Sequence, residues 1–426
     1  MSEMPEERTL WFDEGARHGL LGKVGRGLRK WREGELNLRR LVNAGLCQLS
    51  LRWRMARVLG KPYFLMVEPT NACNLRCPLC PTGRGTLGRK TGNLSLELFR
   101  KCIAELGPYL IEVNVSLMGE PMLHPDLCEM IAIAKAAGPR VVMASNGHFF
   151  TPEAARRLIK SGLDLVYISF DAVNQETYET YRKRGDFGKV VDGVRTLIAE
   201  RNALGRTNPI VELQFLVTRY SEGQIEAFRA MADELGADRR VIKAISFNVC
   251  DWDDPDTLAT YERFFPRNEE HRVYRRAMPT QPLSLPGRGQ GEGDSALPPS
   301  PHPLPEREGG EGDHPSSLSL PGRGQGEGGT VAPPSPSPLP EREGGEGGWQ
   351  WKTPRLELCT APWRGLTVLC DGSILPCCRD VRGRYTMGNV ADGVLKVWNN
   401  QRFRAFRKNL ARRRDKMPIC NVCPGE

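Results

Sequence analysis

Three cysteines set the chemistry within reach of this chain: Cys73-Asn74-Leu75-Arg76-Cys77-Pro78-Leu79-Cys80, a C-x3-C-x2-C spacing placed directly after the apolar run Phe64–Val67. Cysteine thiolates are the usual holders of iron–sulfur clusters, four to a cluster. Three of them hold three irons of a four-iron cluster and leave the fourth open. An open iron can bind and reduce a small molecule. Structural zinc is the plain alternative, yet it asks for four ligands in two paired arms, which this spacing does not offer.

A second cysteine set lies far along the chain: Cys359, Cys370, Cys377, Cys378, Cys420 and Cys423. The stretch from Cys359 to Cys378 reads as a β-hairpin with Asp371-Gly372 at its turn. A basic helix over 402–414 follows, and then Cys420-Asn421-Val422-Cys423. Adjacent side chains on a strand point opposite ways, so only one of Cys377 and Cys378 can face a shared site. A hairpin pair with a C-x2-C is also a zinc-ribbon pattern. Cys47, Cys102, Cys128 and Cys250 stand among apolar residues and read as small core hydrophobes.

The elements that must position these thiols alternate in type. Apolar, β-branched runs occur at Phe64–Val67, Ile111–Leu117, Val141–Ala144, Leu165–Phe170, Ile210–Val217 and Val241–Phe247. Helical patterns at Leu96–Leu106, Leu127–Ala137, Pro152–Ser161, Val190–Arg201 and Gln224–Leu235 separate them. Such alternation predicts a parallel sheet with helices over its outer face. Six βα units suit an α/β fold in the form of a partial (β/α)6, TIM-like barrel, with ligands at the carboxyl ends of its strands. A small β-hairpin and helix domain, the cluster-binding part, is expected after it.

Glu68-Pro69-Thr70-Asn71-Ala72-Cys73 through Cys80 resembles the cluster loop of radical S-adenosylmethionine (SAM) enzymes. Three further motifs at strand ends resemble that family: Met118-Gly119-Glu120-Pro121, Ser145-Asn146-Gly147 and Ser169-Phe170-Asp171. The resemblance implies that Cys73, Cys77 and Cys80 hold a SAM-binding [4Fe–4S] cluster. It also implies that Gly119, Glu120, Asn146, Ser169 and Asp171 help seat SAM. Reductive cleavage of SAM would give a 5′-deoxyadenosyl radical that abstracts hydrogen from a substrate, the cofactor carrying the chemistry and the protein orienting it. Three departures stand out: Met118 for the first Gly of a Gly-Gly-Glu-Pro element, Leu79 where an aromatic often flanks adenine, and no Asn in Thr218-Arg219-Tyr220-Ser221. The distal cysteines resemble a SPASM/twitch auxiliary domain in its short, single-cluster form. That resemblance implies one auxiliary [4Fe–4S] cluster on Cys359, Cys377, Cys420 and Cys423, serving electron transfer or substrate anchoring.

Composition bounds the rest. The chain has 426 residues, a formal net charge of +9 and 13 cysteines. That is too few cysteines for a disulfide scaffold, and clustered thiols that must stay reduced point to a cytoplasmic protein. The acidic start lacks the apolar core of a signal peptide. No apolar run approaches the ~20 residues that span a bilayer. Residues 282–348 hold 16 Gly and 14 Pro, with LSLPGRGQGEG at 283–293 and 318–328 and PLPEREGGEG at 303–312 and 338–347. With so little to bury, this stretch is expected to be a disordered insertion. The expected layout is therefore a basic helical extension over 1–60, a barrel over 61–265, a linker over 266–281, the insertion, and the auxiliary domain over 349–426. Leu38, Leu41, Val42, Leu46 and Leu49 recur at helical spacing in the extension. They are expected to pack on the barrel beneath a solvated basic face, with contact to a membrane surface left open.

The functional expectation is a radical SAM enzyme acting on a peptide or a small metabolite, served by a reducing partner such as flavodoxin or ferredoxin. A sugar-type dehydrogenase is the alternative within that chemistry. From a different class, a zinc module could lay the helix 402–414 on nucleic acid; that reading leaves the strand-end motifs unexplained, so no nucleic acid is expected.

Overall fold

A computed structural model describes residues 6–10, 37–246, 255–276, 349–351, 358–421 and 423. They belong to one compact unit built from Met1–Ala277 and Gly348–Glu426. The repeat segment 282–348 and Cys250 lie outside the described residues.

The described residues form twelve strands: β1 (Glu6–Leu10), β2 (Phe64–Val67), β3 (Glu112–Asn114), β4 (Arg140–Ser145), β5 (Leu165–Ser169), β6 (Ile210–Val217), β7 (Arg239–Ala244), β8 (Tyr274–Arg276), β9 (Trp349–Trp351), β10 (Gly365–Val368), β11 (Ser373–Leu375) and β12 (Gly388–Asn389). Ten form one sheet in the order β1-β7-β6-β5-β4-β3-β2-β10-β11-β12. Every neighbouring pair from β1 to β10 is parallel, and β11 and β12 then add antiparallel. β8 and β9 form a separate antiparallel pair in which Arg276 is in register with Trp349. Among the described residues, no helix is long and apolar enough to cross a membrane.

The six strands β2–β7 and the helices between them match the expected alternation. Helix Leu96–Leu106 shows why: Ser95 accepts from the Leu98 N–H at 3.2 Å as its N-cap. Phe99, Cys102, Ile103 and Leu106 recur at helical spacing and are all buried, each large apolar side chain worth about 1.5–3 kcal/mol on burial. They join Leu65, Val113, Met143, Ile168, Leu213 and Phe215 in the core between helices and sheet. Side chains alternate across a strand, so the opposite face carries Asn114, Tyr167, Ser169, Glu212, Gln214 and Lys243. Gln214 Nε2 donates to Glu212 Oε1 at 2.8 Å, and Lys243 Nζ donates to Gln214. This inner face is polar, whereas the sequence pattern suggests near-continuous apolar strands.

Both ends of the chain are tied to the barrel more closely than the sequence suggests. In the auxiliary region, β10 pairs in parallel with β2 along its whole length. Gly365 stands opposite Phe64, Leu366 opposite Leu65, Thr367 opposite Met66 and Val368 opposite Val67. Buried side chains link the same region to the segment before β2. Trp363 Nε1 donates to Met55 O at 2.8 Å, Trp398 Nε1 to Gly60 O at 3.0 Å, and Arg407 Nη1 to Ala56 O at 3.2 Å. Arg407 lies 4.1 Å over the Trp398 ring and is fully buried. Arg414 is buried as well, so two of the cations in the basic helix Gln401–Arg413 and its extension face inward and are not offered to phosphates.

The N-terminal extension differs from expectation. Glu6–Leu10 forms a strand on β7, which the helical reading does not anticipate. The helix is present as Leu38–Arg52, but its faces are reversed: Arg40, Asn43, Cys47 and Ser50 are buried, while Leu38 is 59% and Val42 54% exposed. The cause is hydrogen bonding. The Arg40 guanidinium donates to the carbonyls of Gly107 at 3.2 Å and Gly138 at 2.8 Å, and to that of Ala137. Asn43 pairs with the Lys61 backbone in both directions, at 2.9 and 2.7 Å. Buried carbonyls need donors, and these outweigh the apolar face.

Candidate active site

The cysteine loop leaves β2 at Glu68. This carboxylate is fully buried and takes both arms of Arg89, at 2.7 and 2.6 Å, together with the Cys370 N–H at 3.2 Å. Arg89 Nε also donates to Val381 O at 2.7 Å. One ion pair thus fixes the start of the loop to the distal hairpin, a link that leaves no trace in the sequence. Cys370 lies against this pair and outside the distal cysteine cavity. Further on, Thr70 and Asn71 hold the loop to Gly92 and Lys90 through side-chain bonds of 2.9–3.0 Å.

Cys73, Cys77 and Cys80 come together at the carboxyl end of the strands. Burial pushes the Cys73 thiol up to about 11 and raises Cys77, and each is raised further by its neighbouring sulfurs. The Leu75 N–H points at Cys73 Sγ, 3.4 Å away. Pro81–Arg84 forms a helical turn after Cys80, and a Cβ at Gly83 would lie 2.5 Å from the Cys77 backbone, so only glycine fits there. Leu79 packs with Ile245, Tyr261, Phe264, Phe265 and Val273, and Tyr261 donates to Leu79 O at 3.3 Å. The residue that departs from the family pattern therefore anchors the loop to the helix Pro255–Phe264.

The strand-end motifs close on this loop from the other side. Gly119 has φ +78°, and a Cβ there would meet Thr70 O at 2.5 Å and Ala72 O at 2.6 Å. The Glu120 N–H donates to Ala72 O at 2.8 Å. Glu120 is buried, and burial raises its carboxyl. Three donors work the other way: the Asn146 N–H at 2.7 Å, Ser145 Oγ at 2.9 Å and the Met122 N–H at 3.1 Å. Asn146 Nδ2 reaches Asn74 Oδ1 at 2.7 Å, inside the cysteine loop. Ser169 ends β5 half-buried, opposite Gln214. Asp171, at φ +57°, accepts from the Leu216 N–H at 2.8 Å and from Arg182 Nε at 2.6 Å.

Arg182 is the residue that sequence reasoning missed. Its Nη1 lies 3.6 Å from Cys77 Sγ while its Nε holds Asp171. Burial opposes its charge, but Asp171 and the Cys77 sulfur more than offset this, and its pKa stands well above the ordinary value. In the sequence it is one of three consecutive cations, Arg182-Lys183-Arg184, at the end of a short helix, with nothing to mark it out.

The distal cysteines come from three segments. Cys359, Cys377, Cys420 and Cys423 line one enclosed cavity with Pro362, Phe406, Leu410 and Ile419. Cys378 is not among its lining residues. Burial pushes Cys420 up to about 12 and Cys377 well above its ordinary value, with neighbouring sulfurs adding to both. Arg414 Nη2 donates to Cys423 O at 2.7 Å and closes the cavity.

Both groups fit iron–sulfur clusters by donor chemistry. Thiols held protonated by burial become good ligands once a cationic centre replaces the proton. Among the described residues, no three His, Cys, Asp or Glu side chains are set to hold a single metal ion.

The family model of the Radical SAM superfamily matches residues 67–204, and that of the SPASM iron–sulfur cluster-binding domain matches 359–424. Mycofactocin maturase MftC of Mycobacterium ulcerans is 33% identical over 186 residues, 43% of this chain and 48% of the relative. The AdoMet-dependent heme synthase of Methanosarcina barkeri is 27% identical over 229 residues, 52% and 63% of the two chains. The chain spans about half the length of the curated relatives it matches first. Streptococcus suis SuiB shares the fold, with a TM-score of 0.51 at 14% identity over 95% of this chain and 83% of that one. With the first cysteine loop inside one matched region and the distal four inside the other, the chain carries a radical SAM domain over 67–204 and a SPASM domain over 359–424, the domain pair whose cofactors are SAM, a SAM-binding [4Fe–4S] cluster and auxiliary iron–sulfur clusters.

Proposed function

We propose that this protein is a radical SAM enzyme that removes hydrogen from a peptide substrate, with Cys73, Cys77 and Cys80 holding the SAM-binding cluster and Cys359, Cys377, Cys420 and Cys423 the auxiliary one. The observation that carries the reading is the locking of the cysteine loop by strand-end turns, through Gly119, Glu120 and Asn146. When bound, the cluster and SAM supply a 5′-deoxyadenosyl radical that abstracts hydrogen. The chain's own part is positional. Gly119 brings its turn against the loop backbone, Glu120 offers a buried acceptor for an ammonium, and Ser169 and Asp171 offer oxygens at strand ends to a ribose. Arg182 sets a cation beside the Cys77 sulfur and suits a carboxylate.

The peptide assignment draws its support from relatives named as maturases. A polar small metabolite is the second reading, favoured by the inner face bearing Glu212, Gln214 and Lys243. Four protein ligands on the auxiliary cluster favour electron transfer over direct binding of substrate. Anaerobic reconstitution with iron and sulfide counting tests the proposal: about eight irons per chain and reductive formation of 5′-deoxyadenosine are expected. Stoichiometric zinc without SAM turnover overturns it.

A further inference from the structure

The reversed helix Leu38–Arg52 leaves an apolar stripe on the surface. Leu38, Val42, Leu46 and Leu49 are all exposed, and Trp53, just beyond the helix, is 65% exposed. Leu59 faces them across a groove of about 470 Å³ whose charged lining residues are Arg39 and Lys61. Single exposed apolar residues are ordinary, but a contiguous stripe marks an interaction surface. The charge around it has one sign: Arg39, Arg52, Arg54 and Arg57 are exposed, and the sequence from Leu38 to Val67 contains no Asp or Glu.

We propose that this face docks on an anionic lipid surface. An apolar stripe rimmed by cations, with a Trp at its edge, has the makeup of an interfacial helix. A second copy docked across a two-fold axis would set cations against cations. The segment that precedes the helix is a poor cover for the same reason, since residues 11–36 hold six cations against the four acids Asp13, Glu14, Glu33 and Glu35; that net positive charge adds instead to attraction by anionic lipid. The geometry is compatible with turnover. Arg40 bonds Gly107, Ala137 and Gly138, which precede β3 and β4. The docking face therefore lies at the amino ends of the strands, and the cysteine loop at the carboxyl ends stays open.

The test is flotation of the full chain with vesicles of phosphatidylcholine alone and of phosphatidylcholine mixed with phosphatidylglycerol. Binding to the mixed vesicles only, reversed by high salt, is expected. Val42→Glu/Leu46→Glu and, separately, Arg52→Glu/Arg57→Glu should each lower partitioning at least about tenfold. Both pairs are exposed, so thermal midpoints should hold near wild type. Failure of the wild type to bind mixed vesicles overturns the proposal, as does equal binding by both variants. A concentration-dependent dimer lost in Val42→Glu/Leu46→Glu, without vesicle binding, would overturn it in favour of a second copy.

Discussion

The two cysteine sites are built in opposite ways. The first draws three thiols from eight consecutive residues and is held from outside by Gly119, Asn146, Arg182 and the helix Pro255–Phe264. Cys73 and Cys80 remain half-buried there. The second draws four thiols from three segments around one largely apolar cavity, with Cys420 and Cys423 buried and Cys359 and Cys377 half-buried. Three thiols leave one iron of the proposed first cluster open to an outside ligand, whereas four leave none open on the second. A site meant to bind SAM needs an open iron and access, and a site meant to pass electrons needs neither.

Cysteine replacements break this comparison most sharply. Cys77→Ala should abolish formation of 5′-deoxyadenosine, because it removes one of three proposed ligands beside the open iron. Cys420→Ala should lose about four irons, spare SAM cleavage and block substrate turnover. Iron counts and 5′-deoxyadenosine assays on the two variants check both. If Cys420→Ala still turned substrate over, the electron-transfer role of the second site would be wrong.

The link between the sites gives the next effect. Glu68 is fully buried under the Arg89 fork and also takes the Cys370 N–H. Glu68→Gln leaves a buried cation without its counter-charge, a loss of about 3–5 kcal/mol. Thermal unfolding of the reconstituted protein should show it. A midpoint near wild type would mean that the hairpin and the cysteine loop are independent. A smaller effect is expected at Gly119. Alanine there would hold φ +78° with its Cβ against two backbone oxygens, a strain of about 1–3 kcal/mol. The turn would be pushed off the loop, so Gly119→Ala should weaken SAM binding more than it lowers the unfolding midpoint. Equilibrium binding of SAM to the reconstituted variant checks this.

What is legible in the sequence follows from the same contrast. The first loop is contiguous, so spacing alone announces it. β2 and β6 fall on their expected bounds because apolar runs between turn residues leave little choice of register. Arg182 and the Glu68–Arg89 pair are invisible there, since each joins residues that only the fold brings together. The reversed helix escapes prediction for a related reason. Periodicity registers Leu38, Val42 and Leu46, but it does not register three carbonyls at Gly107, Ala137 and Gly138 that need the Arg40 guanidinium more than the core needs leucine.

The smallest effect is expected from the segment between the two sites. β8 and β9 run antiparallel, with Arg276 in register with Trp349, so the chain leaves and re-enters the described structure at neighbouring points. Removing 282–348 would leave residues 277–281 to connect the two strands, a length hairpins commonly use. Closing a long loop costs more entropy than closing a short one, though the cost grows only slowly with length. The deletion should therefore leave the unfolding midpoint unchanged or slightly raised, and SAM cleavage within about twofold of wild type. Loss of either cluster on deletion, read by iron counting, would show that the repeat segment helps build one of the sites it separates.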